Sequence, residues 1–282
     1  MLDYAKVRNF GPLASERDWT ERDTILYALG LGAEDLDFVY EDRLRVLPTM
    51  ICVMGYPGFI WRDQDMGIDW TRIVHAEQEV IRHAPLPVEG RFAGSTRIEA
   101  VADKGAEKGA IVYSSREIRD GRGQLIATSR AATMARADGG FDPTGGDAAP
   151  WGQVSLPKRE PDESVTLPTA SNQALIYRLS GDVNPLHIDP EVARTAGFDR
   201  PILHGMCTFG VAGRALLGAL CGNDPDRFRS MRCRFTAPVY PGDTIRTEIW
   251  RSGSGQAHFR AIAEERGVTV LSNGHMTFED AA

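Results

Sequence analysis

Residues 205–220 read GMCTFGVAGRALLGAL, apolar nearly all round with a single charge, Arg214. Such a run forms a helix that needs cover on several sides. The wider apolar stretch, about Ile202 to Cys221, is broken by His204 and Arg214 and carries Gly205, Gly210, Gly213 and Gly218, which fits a helix inside a protein core better than a membrane span. The remainder of the chain beyond this run is strand-like. The turn PVYPG at 238–242 leads into runs at 244–250, 258–264 and 269–278, separated by clusters such as RSGSGQ. A curved antiparallel sheet wrapped around a buried helix satisfies both patterns.

The same plan occurs once more upstream. Ile25-Leu26-Tyr27-Ala28-Leu29-Gly30 aligns with Leu175-Ile176-Tyr177-Arg178-Leu179-Ser180 at an offset of 150. The turn PLPVEG at 85–90 precedes runs at 95–102, 110–118 and 125–135. Ile98, Ala100 and Ala102 alternate with a period of two, the mark of half-buried strands. Between the copies, residues 139–170 hold ten Gly or Pro in 32 positions, too many for a long helix or a central strand. The expected organisation is a first unit at 1–142, a linker at 143–165 and a second unit at 166–282. The expected fold is α+β: a double hot-dog, two repeats of a bent antiparallel sheet around a central helix. Two unrelated α+β domains are the alternative.

Composition narrows the function. The 282 residues carry a net charge of −7, with 42% hydrophobic and 25% charged residues, as in an ordinary globular protein. An acidic chain without a dense basic run is a poor nucleic-acid binder. The four cysteines, Cys52, Cys207, Cys221 and Cys233, make no C-x-x-C pair, which argues against structural zinc and a disulfide scaffold. The opening MLDYAKVRNF lacks an apolar signal core, and the final Glu279-Asp280-Ala281-Ala282 is not a Ser-Lys-Leu address. Cytoplasm is the expected compartment.

Chemistry-bearing residues concentrate at 180–190, SGDVNPLHIDP. Asp182, Asn184 and His187 fall within six positions. Turn formers alone would use the same letters. A carboxyl and an imidazole converging on one water would instead be an acid–base pair. The neighbouring PILHGM at 201–206 opens the apolar helix, where free N–H groups and the dipole gather and Gly205 lets a ligand carbonyl come close. His204 fits a core histidine equally well. His187 and Asp189 form H-x-D without a further zinc-spaced ligand, so no metal is expected. No G-x-G-x-x-G or P-loop supports a nucleotide cofactor.

QALIYRLSGD at 173–182, NPLHIDP at 184–190, AGF at 196–198 and PILHGMCTFG at 201–210 resemble the signature of the MaoC-like (R)-specific enoyl-CoA hydratase 2 family. The first half is similar too, at 25–32, 38–41, 47–49 and His75-Ala76-Glu77-Gln78. The likeness spans the whole chain, as in the hydratase part of the peroxisomal multifunctional enzyme type 2. It implies hydration of trans-2-enoyl-CoA to (3R)-3-hydroxyacyl-CoA, without a cofactor beyond the substrate's CoA, by a homodimer. It carries over Asp182, Asn184 and His187 as the catalytic set and the Gly205 N–H as oxyanion donor. His75, Ala76, Lys104, residues 182–187 and Phe235 map to substrate contacts. The family often has His-Gly-Glu-Gln where this chain has Ala76, whose methyl narrows that wall. At the 150 offset Gly32, Glu34 and Asp37 replace Asp182, Asn184 and His187, so one active site per chain is expected. Competing readings are a specialised hydratase for branched, dicarboxylic or steroid side-chain acyl groups, a hot-dog thioesterase and a silent acyl-CoA-binding module.

Overall fold

The computed structural model describes residues 2–280. The first half contains helices α1 (Tyr4–Arg8), α2 (Glu21–Gly30), α3 (Leu36–Val39) and α4 (Ile60–Asp63). Its strands are β1 (Leu13–Trp19), β2 (Ile73–Arg82), β3 (Gly90–Asp103), β4 (Ala110–Arg119) and β5 (Leu125–Ala135). The second half contains β6 (Glu163–Pro168), α5 (Gln173–Tyr177), α6 (Pro190–Thr195), α7 (Gly205–Cys221), β7 (Phe228–Phe235), β8 (Thr244–Arg251), β9 (Gln256–Ala263) and β10 (Val268–Phe278).

All ten strands form one antiparallel sheet in the order β1-β3-β4-β5-β2-β7-β10-β9-β8-β6. Each half contributes five neighbouring strands, and the halves join through β2 and β7, with Gln78 opposite Cys233 and Val80 opposite Met231. This is the double hot-dog architecture. The six strand-like runs become β3, β4, β5, β8, β9 and β10. β6 begins at Glu163, inside the expected linker, and sits at the sheet edge beside β8, where a proline leaves no ladder bond unmade.

The aligned repeat segments meet in space. The Tyr27 and Tyr177 rings lie 6.0 Å apart, both fully buried. The C-terminal carbonyls of α2, orphaned by helix geometry, are capped from the other half. Gln173 Nε2 donates to Gly30 O at 2.5 Å, Cys207 Sγ to the same oxygen at 3.3 Å, and Arg214 Nη1 to Leu31 O at 2.7 Å. A guanidinium at the negative end of a helix is also favoured by the macrodipole.

The two halves of the sheet are filled differently. α7, 17 residues long with twelve of them buried, lies over the second. Among the described residues, no helix of that length covers the first. A short 3-10 turn, Pro48–Cys52, entirely buried, packs there against β2, β5 and α7. The central helix expected of both repeats is therefore long only in the second. The space left over β3, β4 and β5 is a cavity of about 150 Å³. No described helix is long and apolar enough to cross a membrane.

Candidate active site

The catalytic candidates are held by a short loop after α5. Gly181 adopts φ +123°, and the Arg17 guanidinium lies 2.8 Å from where a Cβ would stand, so this corner needs glycine. Asn184 accepts from Leu186 N at 3.1 Å and thereby caps the 3-10 turn Pro185–His187. Its backbone N–H donates to Asp182 Oδ1 at 3.2 Å. Asn184 thus organises the loop, with its side-chain carbonyl spent on the turn rather than on His187.

Donor atoms of Asp182, His187 and His204 lie within 4.8 Å of one another. The hydrogen bonds define the tautomers. His187 Nδ1 is 2.9 Å from Ile202 O, and a carbonyl only accepts, so Nδ1 carries the proton and Nε2 keeps its lone pair. His204 Nε2 likewise donates to Asp182 O at 3.1 Å, leaving Nδ1 buried without a partner. The two imidazoles stack at 3.7 Å and 29°. Burial lowers the His187 pKa, partly offset by the Asp182 charge, and pushes His204 down to about 2. Both rings are therefore neutral near pH 7. The three ligand atoms are close enough for a metal ion to bridge, and each imidazole has its N–H held by a backbone carbonyl with the other ring nitrogen left as an acceptor.

His204 is also the residue before α7, so Gly205 opens that helix. The first N–H groups of a helix have no intrahelical acceptor and carry its positive end. A Cβ on Gly205 would stand 3.3 Å from the Phe235 ring. Phe235 in turn meets His75 edge-on at 5.2 Å. Gly205, Phe235 and His75 thus pack in one row, and His75 is the member of it that borders the cavity. Tyr177, Asp182, Met206 and His75 all border the cavity.

β2 reaches this row through a bulge. Ala76 and Glu77 share one opposing residue, Ala132 of β5, because the register shifts between His75 and Glu77. Residues three apart on a regular strand face opposite ways. The extra residue brings His75 and Gln78 to the same face, where His75 Nε2 and Gln78 Oε1 are 3.1 Å apart. Burial holds the His75 imidazole down at about 4. Ala76 departs from its expected place. Its methyl packs with Ala100, Ala102, Tyr113, Ala132 and Trp151 in a cluster on the other face, away from the cavity. Lys104 is exposed in the β3–β4 turn, with its N–H donated to Gly109 O at 2.9 Å, and does not border the cavity either.

The opposite side of the cavity comes from the first half, with Tyr56, Thr96, Ser114, Arg116 and Ser129. Residue patterns did not single these out, because alternation marks a strand's two faces without saying which faces a void. Of the first-half equivalents of the catalytic loop, Asp37 is spent on structure: its backbone N–H donates to Asp35 Oδ1 at 3.0 Å, and its carboxylate pairs with Arg43 at 3.0 Å.

A double hot-dog that sets Asp182 at a cavity, with the His187 imidazole close by and a helix start next to both, defines an acyl-thioester-handling class of protein. Comparison with known proteins narrows it. Residues 153–274 match the MaoC like domain, and residues 18–137 match the MFE-2 hydratase 2 N-terminal domain. The chain is 43% identical over 275 residues to 3-hydroxyacyl-thioester dehydratase Y of Mycobacterium tuberculosis, covering 93% of each. It is 39% identical to the probable enoyl-CoA hydratase 2 of Dictyostelium discoideum, over 97% of this chain and 95% of that one. A MaoC-like dehydratase from Phytophthora capsici superposes with a TM-score of 0.90 at 34% identity over the full length of both. The chain belongs to the MaoC-like enoyl-CoA hydratase 2 family.

Proposed function

We propose that this protein hydrates trans-2-enoyl-CoA reversibly to (3R)-3-hydroxyacyl-CoA. The observation that carries the reading is the convergence of Asp182 and His187 within 4.8 Å on one loop beside the start of α7. The names of the Mycobacterium and Dictyostelium relatives describe one reaction in its two directions.

The β-carbon of an enoyl thioester accepts water only as far as its carbonyl accepts charge. The Gly205 N–H is the donor for that oxygen. It acts more strongly on the enolate-like transition state than on the substrate, which is what accelerates the reaction. The water lies between Asp182 and His187. Asp182 orients it by accepting one hydrogen, and His187 Nε2 removes the other as the oxygen bonds to the β-carbon. The imidazolium then returns that proton to the α-carbon, so the elements of one water add from one face. The tautomer held by Ile202 O favours His187 over Asp182 as the base. His75 and Phe235 flank the thioester, and Lys104 serves the CoA phosphates from outside the cavity. Residues 1–142 house the acyl group and residues 166–282 do the chemistry. The step needs no metal and no cofactor beyond the substrate's own CoA.

The deciding assay monitors the conjugated-thioester absorbance and free thiol together, in EDTA, and determines product configuration. Loss of absorbance without thiol, giving the (3R) alcohol, is expected. Thiol release would instead identify a thioesterase, and tight binding without turnover a silent module.

Four buried free cysteines suit a reducing cytoplasm. A homodimer is the proposed assembly. Because β2 and β7 already pair within the chain, a dimer would use another surface, such as the edges β1 and β6. Sedimentation at the mass of one chain would rule it out.

A further inference from the structure

The chain between β5 and β6 runs across the face of the sheet turned away from the cavity. It meets β3, β4, β2, β7 and β8 in the order in which the sheet sets them. Asp147 accepts from Val101 N of β3 at 3.0 Å, and Trp151 meets the Tyr113 ring of β4 edge-on at 5.0 Å. Trp151 Nε1 donates to Glu77 Oε2 of β2 at 3.1 Å. Arg232 of β7 donates to Gly152 O, and Trp250 Nε1 of β8 to Arg159 O at 2.8 Å. The crossing is pinned on both halves, with Trp151 between the pins.

Trp151 lands on the bulge of β2. Ala76 and Glu77 are the two residues that share Ala132 as a partner, and the crossing chain holds both. Glu77 is held through its bond to the indole, and Ala76 lies in the apolar cluster that contains Trp151, Tyr113 and Ala132. A bulge leaves its extra residue outside the ladder, so side-chain contacts have to keep it there. Without the bulge, His75 and Gln78 would face opposite ways. The 3.1 Å contact between their side chains and the edge-on contact of His75 with Phe235 at 5.2 Å would then be lost. We propose that Trp151 is a positioning residue, which fixes the bulge from the outer face and so keeps His75 turned toward the cavity. Trp151 itself does not border the cavity. The proposal rests on the hydratase reading only for the thioester that His75 flanks.

The test separates the two claims. Trp151→Phe keeps an aromatic ring and removes the indole N–H. Nuclear Overhauser contacts between the His75 and Phe235 rings should be present in the wild type and lost in this variant, while those of the stacked His187 and His204 rings persist. Retained His75–Phe235 contacts in Trp151→Phe overturn the inference whether or not the protein is a hydratase. His75 flanks the thioester in ground and transition state alike, so KM for trans-2-enoyl-CoA should rise roughly threefold or more with kcat nearly unchanged. A loss of kcat at constant KM overturns the positioning role. Loss of the ring contacts with KM unmoved would support the hold on His75 and instead sink the placement of the thioester beside it. Glu77→Gln retains an acceptor for the indole and should behave as wild type, whereas Glu77→Ala should repeat Trp151→Phe. Should Trp151→Phe fail to fold, the two Glu77 variants decide by the same readouts.

Discussion

At His187 a single hydrogen bond determines what the side chain can do. Donation from Nδ1 to Ile202 O leaves Nε2 as an acceptor, and burial keeps the ring neutral. Asp182→Asn removes the carboxylate and His187→Gln removes the base. Each is expected to lower hydration by roughly 10²–10⁴-fold while circular dichroism stays that of the folded protein. Turnover close to wild type in either would remove the mechanism. The sign of the pH dependence comes from the same burial. A base whose pKa is lowered stays neutral, and competent, to lower pH. The acid limb of kcat/KM should therefore inflect below 6.5, the ordinary histidine value. An inflection above it would assign the limb to another group.

At the scale of the element, α7 shows why its glycines are not interchangeable. A Cβ on Gly213 would stand 2.5 Å from Thr49 Cγ2 and 3.4 Å from Met231 Sδ, where the helix meets the buried turn of the first half. On Gly218, which is exposed, the nearest atom is Asn223 Oδ1 at 3.4 Å. Alanine gains about 1 kcal/mol of helix propensity at either position. Overpacking costs about 1–3 kcal/mol where the neighbours cannot move. Gly213→Ala should thus lower the urea midpoint and Gly218→Ala raise it. The same sign for both would mean that propensity, not packing, governs this helix. The β2 bulge is the other decisive element. One inserted residue turns His75 toward the site and Ala76 away from it.

The whole molecule carries its polar cavity as a liability in acid. His75, His187 and His204 are all depressed by burial, His75 to about 4 and His204 to about 2. In the unfolded chain these imidazoles take up protons near 6.5. The unfolded state therefore binds more protons than the folded one as pH falls below that value. The stability tied to neutral burial is complete above 6.5 and is lost progressively through the folded-state values. The urea midpoint should be clearly lower at pH 5 than at pH 7.5, with an unchanged slope. Equal midpoints would show that these rings are solvated. The same molecule-wide logic explains the unequal halves: one half of the sheet holds a long helix, and the other holds the space beside the helix's catalytic neighbours.

Local patterns made much of this legible. The apolar run at 205–220 needed a wrapping sheet, the strands of both meanders alternated, and the 150-residue offset predicted two related units whose aligned tyrosines meet at the seam. The loop at 182–187 was visible because an acid, an amide and an imidazole stood together, and the family resemblance gave them roles. Other features depended on contacts between distant residues. β2 and β7 were not legible as the join, since a strand's pattern names its faces but not its partner. The bulge at Ala76, the stacking of His204 on His187 and the place of Arg116 at the cavity depend on register and on the absence of a long described helix over one half of the sheet. The sequence by itself determined which residues had to be buried and which carried chemistry, because those properties reside in single side chains and short periods. Only the tertiary structure decided which of them face one another, because that depends on strand register and on which volume the packing leaves empty.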